Sequence, residues 1–437
     1  MTKTEELFID AYRRALQRMN QVENGMVSED GSYNDISFTE WRRVLALAQN
    51  HFVYPMVFES IYAESDTTAR ATRFFERGLK KAEELTYHQA RMSAEFLKLY
   101  QFLAGRGLEP IVMKGIVCRK LYPNPEQRSS SDEDLLVPEN QFAEYHKAFI
   151  EYGLEVALPG RDVEHDYEVP YSSSHLYIEV HKQPFSPDSK AYGDLNRFFT
   201  DVGNRKIRFN VYGVPLTAMG HTDQLFYLLC HAYKHFLYSG IGIRIVSDIV
   251  LYSMAYLGII EWESVTERCK EIHAYDFVAA IYKIGQKYLF PERYPEELVT
   301  IWETERVNEE ALLQDILKGG VLGASSKERQ HSANLTLLAV ERAKRGKKKP
   351  MLLSTMFPLG ESLKGRYPWL RKAPFLLPVA WLHRLFAYSV ENIAHEHKGN
   401  SAAEAVRIGN ERVGLLRRYH MLEERKMIQE VKKKDEE

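Results

Sequence analysis

The segment "IVMKGIVCRKLYPNPEQRSSSDEDLLVP", residues 111–138, decides how the rest of the chain is read. An apolar run ends on Lys114-Gly115. Arg128, Ser129, Ser130, Ser131, Asp132, Glu133 and Asp134 then crowd in front of a second apolar run, Leu135, Leu136 and Val137. A solvated loop holds such charges without needing that second run, which seeks a core. The order predicts strand, turn, short helix, polar loop and strand, with carboxylates where the second strand starts. Along a strand, residues two apart share a face and lie roughly 6–7 Å apart. Asp132 and Asp134 therefore point together, and Glu133 points away. Two aligned carboxylates suit magnesium, which takes oxygen ligands and shares them with phosphates.

Outward from this segment, the pattern changes on both sides. Residues 1–105 read as helical. "SFTEWRRVLALAQ" opens with a capping box, Ser37 and Glu40. The stretch from Ala71 carries apolar residues at helical spacing and ends on Gly105 and Gly107, which suit a C-terminal cap. Residues 106–219 read as a small mixed-sheet unit. A helix, "ENQFAEYHKAFIEYG", follows the second strand. "LEVAL", "DYEVPY" and "HLYIEVHK" read as further strands, and "KIRFNVYGVPLT" as a hairpin turning at Tyr212-Gly213. In "HLYIEVHK", His175, Tyr177, Glu179 and His181 share one face, and Leu176, Ile178 and Val180 the other. Residues 220–437 read as helical again. The expected class is α+β, a small mixed-sheet unit between helical regions.

Glu179 is a lone charge between Ile178 and Val180, so it needs a partner, and a metal is one. It is the candidate third carboxylate beside Asp132 and Asp134. Lys114-Gly115 supplies the other half: a glycine after a strand allows close approach of a phosphate, and the following helix aims N–H groups at it. Arg128 and Ser129, Ser130 and Ser131 lie where they would meet the same phosphates.

With these residues in place, the segment resembles the nucleotidyltransferase domain of the polymerase-β-like superfamily. There a glycine turn and a short helix precede a D-x-D strand, and a third acidic residue follows on a later strand. More narrowly, "MKG…LYP…R…DEDLLV" with "EVH" downstream is similar to a bacterial family of uncharacterised nucleotidyltransferases. The resemblance covers residues 109–182. It implies transfer of a nucleoside monophosphate from an NTP to an acceptor, with pyrophosphate released. It also implies Mg²⁺, with Mn²⁺ as the alternative ion, held by Asp132, Asp134 and Glu179. The chain departs from the superfamily pattern at Lys114, and at Ile116, where serine is common; Lys114 or Arg128 then stands in for the missing hydroxyl contact. A catalytically inactive nucleotide-binding or regulatory protein on the same fold is the second reading.

Other constellations are weaker. "HAYKH" places His231 and His235 one helical turn apart, and with Asp248 they form a third reading, a metal-dependent phosphohydrolase. Packed helix histidines are the plainer reading. His181, His231, Arg244 and Asp248 are the candidates for the acceptor wall. "GGVLGASSK" from Gly319 has the wrong spacing for a P-loop. "RAKRGKKKP" from Arg342 reads as a solvated linker, and the charged tail from Lys426 as frayed. "FPLGESLKGRYPWLRKAPFLLPVAW" reads as a packed loop and helix start, with "APFLLPVAWL" buried and too short to span a bilayer.

The 437 residues carry a formal net charge of −2, so no strong nucleic-acid or membrane field is expected. Three scattered cysteines make no disulfide framework, and the amphipathic start is no signal peptide, so the cytoplasm is the expected compartment. Two further expectations follow from the strand register. Glu133→Gln should leave activity nearly unchanged, since Glu133 faces away. Removing Asp132 or Asp134 should relieve like-charge repulsion and hold or raise stability.

Overall fold

The computed structural model describes residues 1–17, 33, 35–158, 162–320, 327–344, 367, 373–381, 383 and 401–422. Most of the Pro- and aromatic-rich stretch, the distal half of the basic linker and the charged tail lie outside them, as does the centre of the "GGVLGASSK" motif. The described chain divides into two compact units. One holds Met1–Phe236 and Gly240–Ser325, the other Leu237–Ser239 and Ser326–Glu437.

The fold of the first unit is α+β. Its strands are β1 (Ile111–Val112), β2 (Glu133–Leu136), β3 (Glu155–Val156), β4 (Glu168–Ser172), β5 (Tyr177–His181), β6 (Lys206–Val211) and β7 (Val214–Met219). They form one mixed sheet in the order β3-β4-β5-β2-β1-β7-β6. β2 lies at the centre, parallel to β5 and antiparallel to β1, and all four of its residues are buried. The β6–β7 hairpin turns at Tyr212 and Gly213, whose φ values of 49° and 84° fit a two-residue turn of the primed kind.

Helices α1 (Lys3–Gln17), α2 (Phe38–Asn50), α3 (Tyr54–Ala63) and α4 (Arg73–Ala104) precede the sheet. The Ser37 side chain caps α2 by accepting from Glu40 N at 3.2 Å. Tyr100 on α4 donates to Pro110 O and accepts from Thr217 N, both at 3.0 Å, which ties the helix to the approaches of β1 and β7. Two short inserts follow, α5 (Ile116–Arg119) after β1 and α6 (Phe142–Tyr152) after β2. Beyond β7 come α7 (His221–Tyr238) and α8 (Ile243–Ala255), then helices from Trp262 to Gly319. α1 reaches α8 through Tyr12 Oη, 2.8 Å from Ser247 Oγ.

In the second unit, Lys327–Lys344 packs against Ser401–Arg418, and Gly409 leaves the space that Leu335 fills. The segment from Ala373 departs from the expectation of burial. Ala380 is buried against Tyr367, but Phe375 is 77% and Val379 52% exposed. Helical spacing turns only one side of this short segment inward. Among the described residues no helix is long and apolar enough to cross a membrane.

Candidate metal and phosphate site

Parallel pairing of β2 with β5 sets Asp134 opposite Glu179 and Leu136 opposite His181. Because Glu179 and His181 are two apart on β5, both reach the Asp134 side. His181 Nε2 lies 3.2 Å from Asp134 Oδ1 and 3.9 Å from Glu179 Oε2. One ligand atom from each of Asp134, Glu179 and His181 lies within 4.8 Å of the others. Asp132 sits one residue before β2, half-buried and outside this tight set. Its charge still reaches the site, favouring protonation of both Lys114 and Glu179.

The carboxylates hold an internal cation. Lys114 Nζ is 3.1 Å from Asp134 Oδ2 and 3.1 Å from His231 Nε2. Burial disfavours its charge, but Asp132, Asp134 and Glu179 outweigh that and hold its pKa above the ordinary value. For Asp134, burial is overcome by Lys114 and His181, and its carboxyl is held well below the usual range. For Glu179 the Lys114 ammonium works the same way but is outweighed. Burial, then Asp134 and Asp132, push its carboxyl up to about 8.

The Lys114-Gly115 turn is built from the opposite face of β2. Gly115 takes φ 69°, and a Cβ there would overlap the Glu133 carboxylate. Glu133 accepts from Ile116 N at 2.8 Å, the start of α5, and from Arg119 Nη2 at 2.6 Å. Arg119 also donates to Ser93 Oγ and Ser130 Oγ, and Gln89 Oε1 accepts from Ser130 N at 2.7 Å. Two polar residues of α4, Gln89 and Ser93, thus fix the loop that carries Asp132. Glu133 does face away, as its register demands, but it faces a buried arginine rather than solvent. Glu133→Gln would therefore leave the buried Arg119 without its counter-ion.

Beside the carboxylates, a cavity opens between the Lys114-Gly115 turn and helices α7 and α8. Arg128, Ser130, Ser131 and Asp132 line one side; His231, Arg244 and Asp248 line the other, with Phe52 from the α2–α3 connection. Arg128 is 3% exposed and is gripped by Asp248 through two bonds, 2.7 Å from Nε and 2.6 Å from Nη2. Tyr122 Oη donates to the same carboxylate at 2.7 Å. Arg128 Nη1 and Arg244 Nε are buried without a hydrogen-bond partner. Arg244 donates from Nη1 to Ser129 O, lies 5.6 Å from the centre of the Phe52 ring, and has its charge disfavoured by burial and by Arg128. Ser129 turns its carbonyl to Arg244, while its hydroxyl is buried without a partner.

His231 and His235 do not join Asp248 in a metal set, which corrects the third reading. Among the described residues the tight donor cluster is Asp134, Glu179 and His181. Asp248, which lines the cavity, is the counter-ion of Arg128. His235 Nε2 lies 3.0 Å from His231 Nε2, and burial and then neighbouring lysines hold both rings neutral.

Oxygen donors from two strands and an imidazole, gathered round an internal ammonium, are a fitting set for a divalent ion. Sequence reasoning placed His181 beside the acceptor, although its i, i+2 spacing from Glu179 already put it in the cluster. It missed Arg119, Gln89 and Phe52, which no local pattern marks. The family described as uncharacterised nucleotidyltransferase matches residues 37–289, more than half of the chain, which includes the whole sheet and the helices lining the cavity. The chain belongs to that family. Neither comparison with curated proteins nor comparison with solved structures gives a match.

Proposed function

We propose that this member of the uncharacterised nucleotidyltransferase family moves a nucleoside monophosphate from an NTP to an acceptor hydroxyl, on a polymerase-β-like catalytic unit. The observation that carries the reading is the register of β2 with β5, which sets Glu179 beside Asp134 and both beside Lys114. Asp134, Glu179 and His181, with Asp132 next to them, would hold divalent metal, Mg²⁺ or Mn²⁺. Held there, such an ion would neutralise charge on the phosphates and on the attacking and leaving oxygens. The acceptor oxygen forms a bond to the α-phosphorus, the α-phosphorus–oxygen bond to the β-phosphate breaks, and pyrophosphate leaves.

The chain's own groups divide the remaining work. Where it does not ligate the ion, Glu179 as a carboxylate would take the proton lost by the acceptor hydroxyl. The cavity with Lys114, Arg128 and Arg244 receives the β- and γ-phosphates. Its two unpartnered guanidinium nitrogens are donors that an anion would satisfy. Phe52 lines the cavity beside Arg244. The acceptor class is a sugar, an antibiotic, a protein side chain or RNA. All three cysteines are free and buried, which fits action in the cytoplasm.

The test is incubation of the purified chain with each α-labelled NTP, Mg²⁺ or Mn²⁺, and a cell extract. Label should move into a small molecule, protein or RNA, with pyrophosphate released in equal amount. Release of inorganic phosphate without labelled product would point to hydrolysis and overturn the reading.

A further inference from the structure

We propose that His181 is itself a metal ligand through Nε2, and that its nitrogen makes the site select Mn²⁺ over Mg²⁺. The inference rests on the cluster being the metal site. Four observations carry it: two ligand-atom distances, a carboxylate behind the ring and the burial of the ring. Ligand atoms about 2.1 Å from one ion and at right angles to each other lie about 3 Å apart. His181 Nε2 is 3.2 Å from Asp134 Oδ1, so the two atoms need little movement to become neighbouring ligands. Glu179 Oε2, 3.9 Å from the same nitrogen, completes a face of two oxygens and one nitrogen.

A second carboxylate also stands behind the ring. β4 pairs antiparallel with β5 so that Glu168 stands opposite His181. Glu168 Oε2 lies 3.6 Å from His181 Nδ1, which is buried and makes no hydrogen bond. Closing that gap to hydrogen-bond distance, with the other nitrogen facing the donors, would give the arrangement that fixes a ligating imidazole and raises its basicity. A histidine kept only for packing needs neither neighbour. His181 is 3% exposed, so water does not compete for Nε2 on the protein side.

The chemistry then discriminates between ions. Mg²⁺ binds oxygen donors and keeps several waters. Imidazole nitrogen favours first-row transition ions, and Mn²⁺ also accepts the two carboxylates. One nitrogen in an otherwise oxygen-donor set therefore separates the two ions without excluding either.

The experiment uses the full chain, with Mn²⁺ alone as probe. Binding is followed by the loss of the free-ion electron paramagnetic resonance signal, and Mg²⁺ affinity by competition. The wild type should bind Mn²⁺ at least about 10-fold tighter than Mg²⁺, and bound Mn²⁺ should show nitrogen-14 coupling in electron spin-echo modulation. His181→Gln offers an oxygen near the Nε2 position. It should lose the nitrogen coupling and at least about 10-fold in Mn²⁺ affinity, the range for disturbing a metal shell, while Mg²⁺ affinity changes far less. His231→Gln should keep the coupling. Bound Mn²⁺ without nitrogen coupling in the wild type overturns the inference alone. Failure to bind Mn²⁺ with or without an NTP analogue overturns it together with the reading it rests on.

Discussion

Replacing Glu133 by Gln removes a charge from a pair that water does not reach. Arg119 and Glu133 are 1% and 0% exposed and meet at 2.6 Å. Removing one partner of such a pair leaves an uncompensated charge and costs about 3–5 kcal/mol. Gln keeps an acceptor oxygen for Ile116 N or for Arg119, so the loss belongs near the lower end, about 3 kcal/mol. With a urea dependence of about 3 kcal/mol/M, the midpoint should fall by about 1 M. The same change loosens the start of α5 and hence the Lys114-Gly115 turn, so nucleotide affinity should fall while Mn²⁺ affinity holds. The double variant Arg119→Met with Glu133→Gln removes the stranded cation and should recover much of the lost stability. Urea unfolding of the three variants decides it. A Glu133→Gln midpoint within about 0.2 M of wild type would refute the buried pair, and with it the packing that shapes the turn.

Further outcomes follow from the same geometry. Glu179→Gln should stabilise the metal-free protein near pH 8 by up to about 4 kcal/mol, because its carboxyl stands at about 8 in the fold against 4.5 outside it. A raised folded pKa means stability present below 4.5 and lost as pH climbs through about 8, so the gap between variant and wild type should widen over that window in thermal melts. Asp134→Asn should instead lower the midpoint, since Lys114 and His181 favour its charge. Lys114→Met withdraws the ammonium from among the carboxylates and should tighten Mn²⁺ binding in the absence of nucleotide by at least about 10-fold, read by paramagnetic resonance. His51 is fully buried, and burial brings its pKa from 6.5 to about 4. Unfolded chain therefore takes up a proton that folded chain refuses, and stability should fall by up to about 3 kcal/mol between pH 6.5 and 4; His51→Gln should flatten that slope in urea titrations.

The elements around residue 111 were legible because strand alternation, the glycine turn and the D-x-D spacing are local. The face shared by Glu179 and His181 followed from period two alone. What was not legible depends on pairing across long sequence separation. Nothing near Glu133 announces Arg119 as its partner, and nothing near Asp248 announces Arg128, 120 residues away. The stability expectation at Asp134 left out a counter-ion for the same reason. Counting nearby carboxylates predicts repulsion, whereas the fold brings Lys114 in as a counter-ion. Exposure of Phe375 and Val379 was missed because apolar composition does not say which helical side faces inward.

The central claim is that the Asp134, Glu179 and His181 cluster supports nucleotidyl transfer. Its most direct measurement is the rate at which wild type and Asp134→Asn move label from an α-labelled NTP to acceptor in the presence of Mn²⁺, with folded variant confirmed by circular dichroism. The wild type should transfer label, and the variant should do so at least about 10²- to 10³-fold more slowly, the loss seen when one preorganised electrostatic element is removed. Equal rates in the two proteins, or no transfer by the wild type with any of the NTPs, would contradict the account.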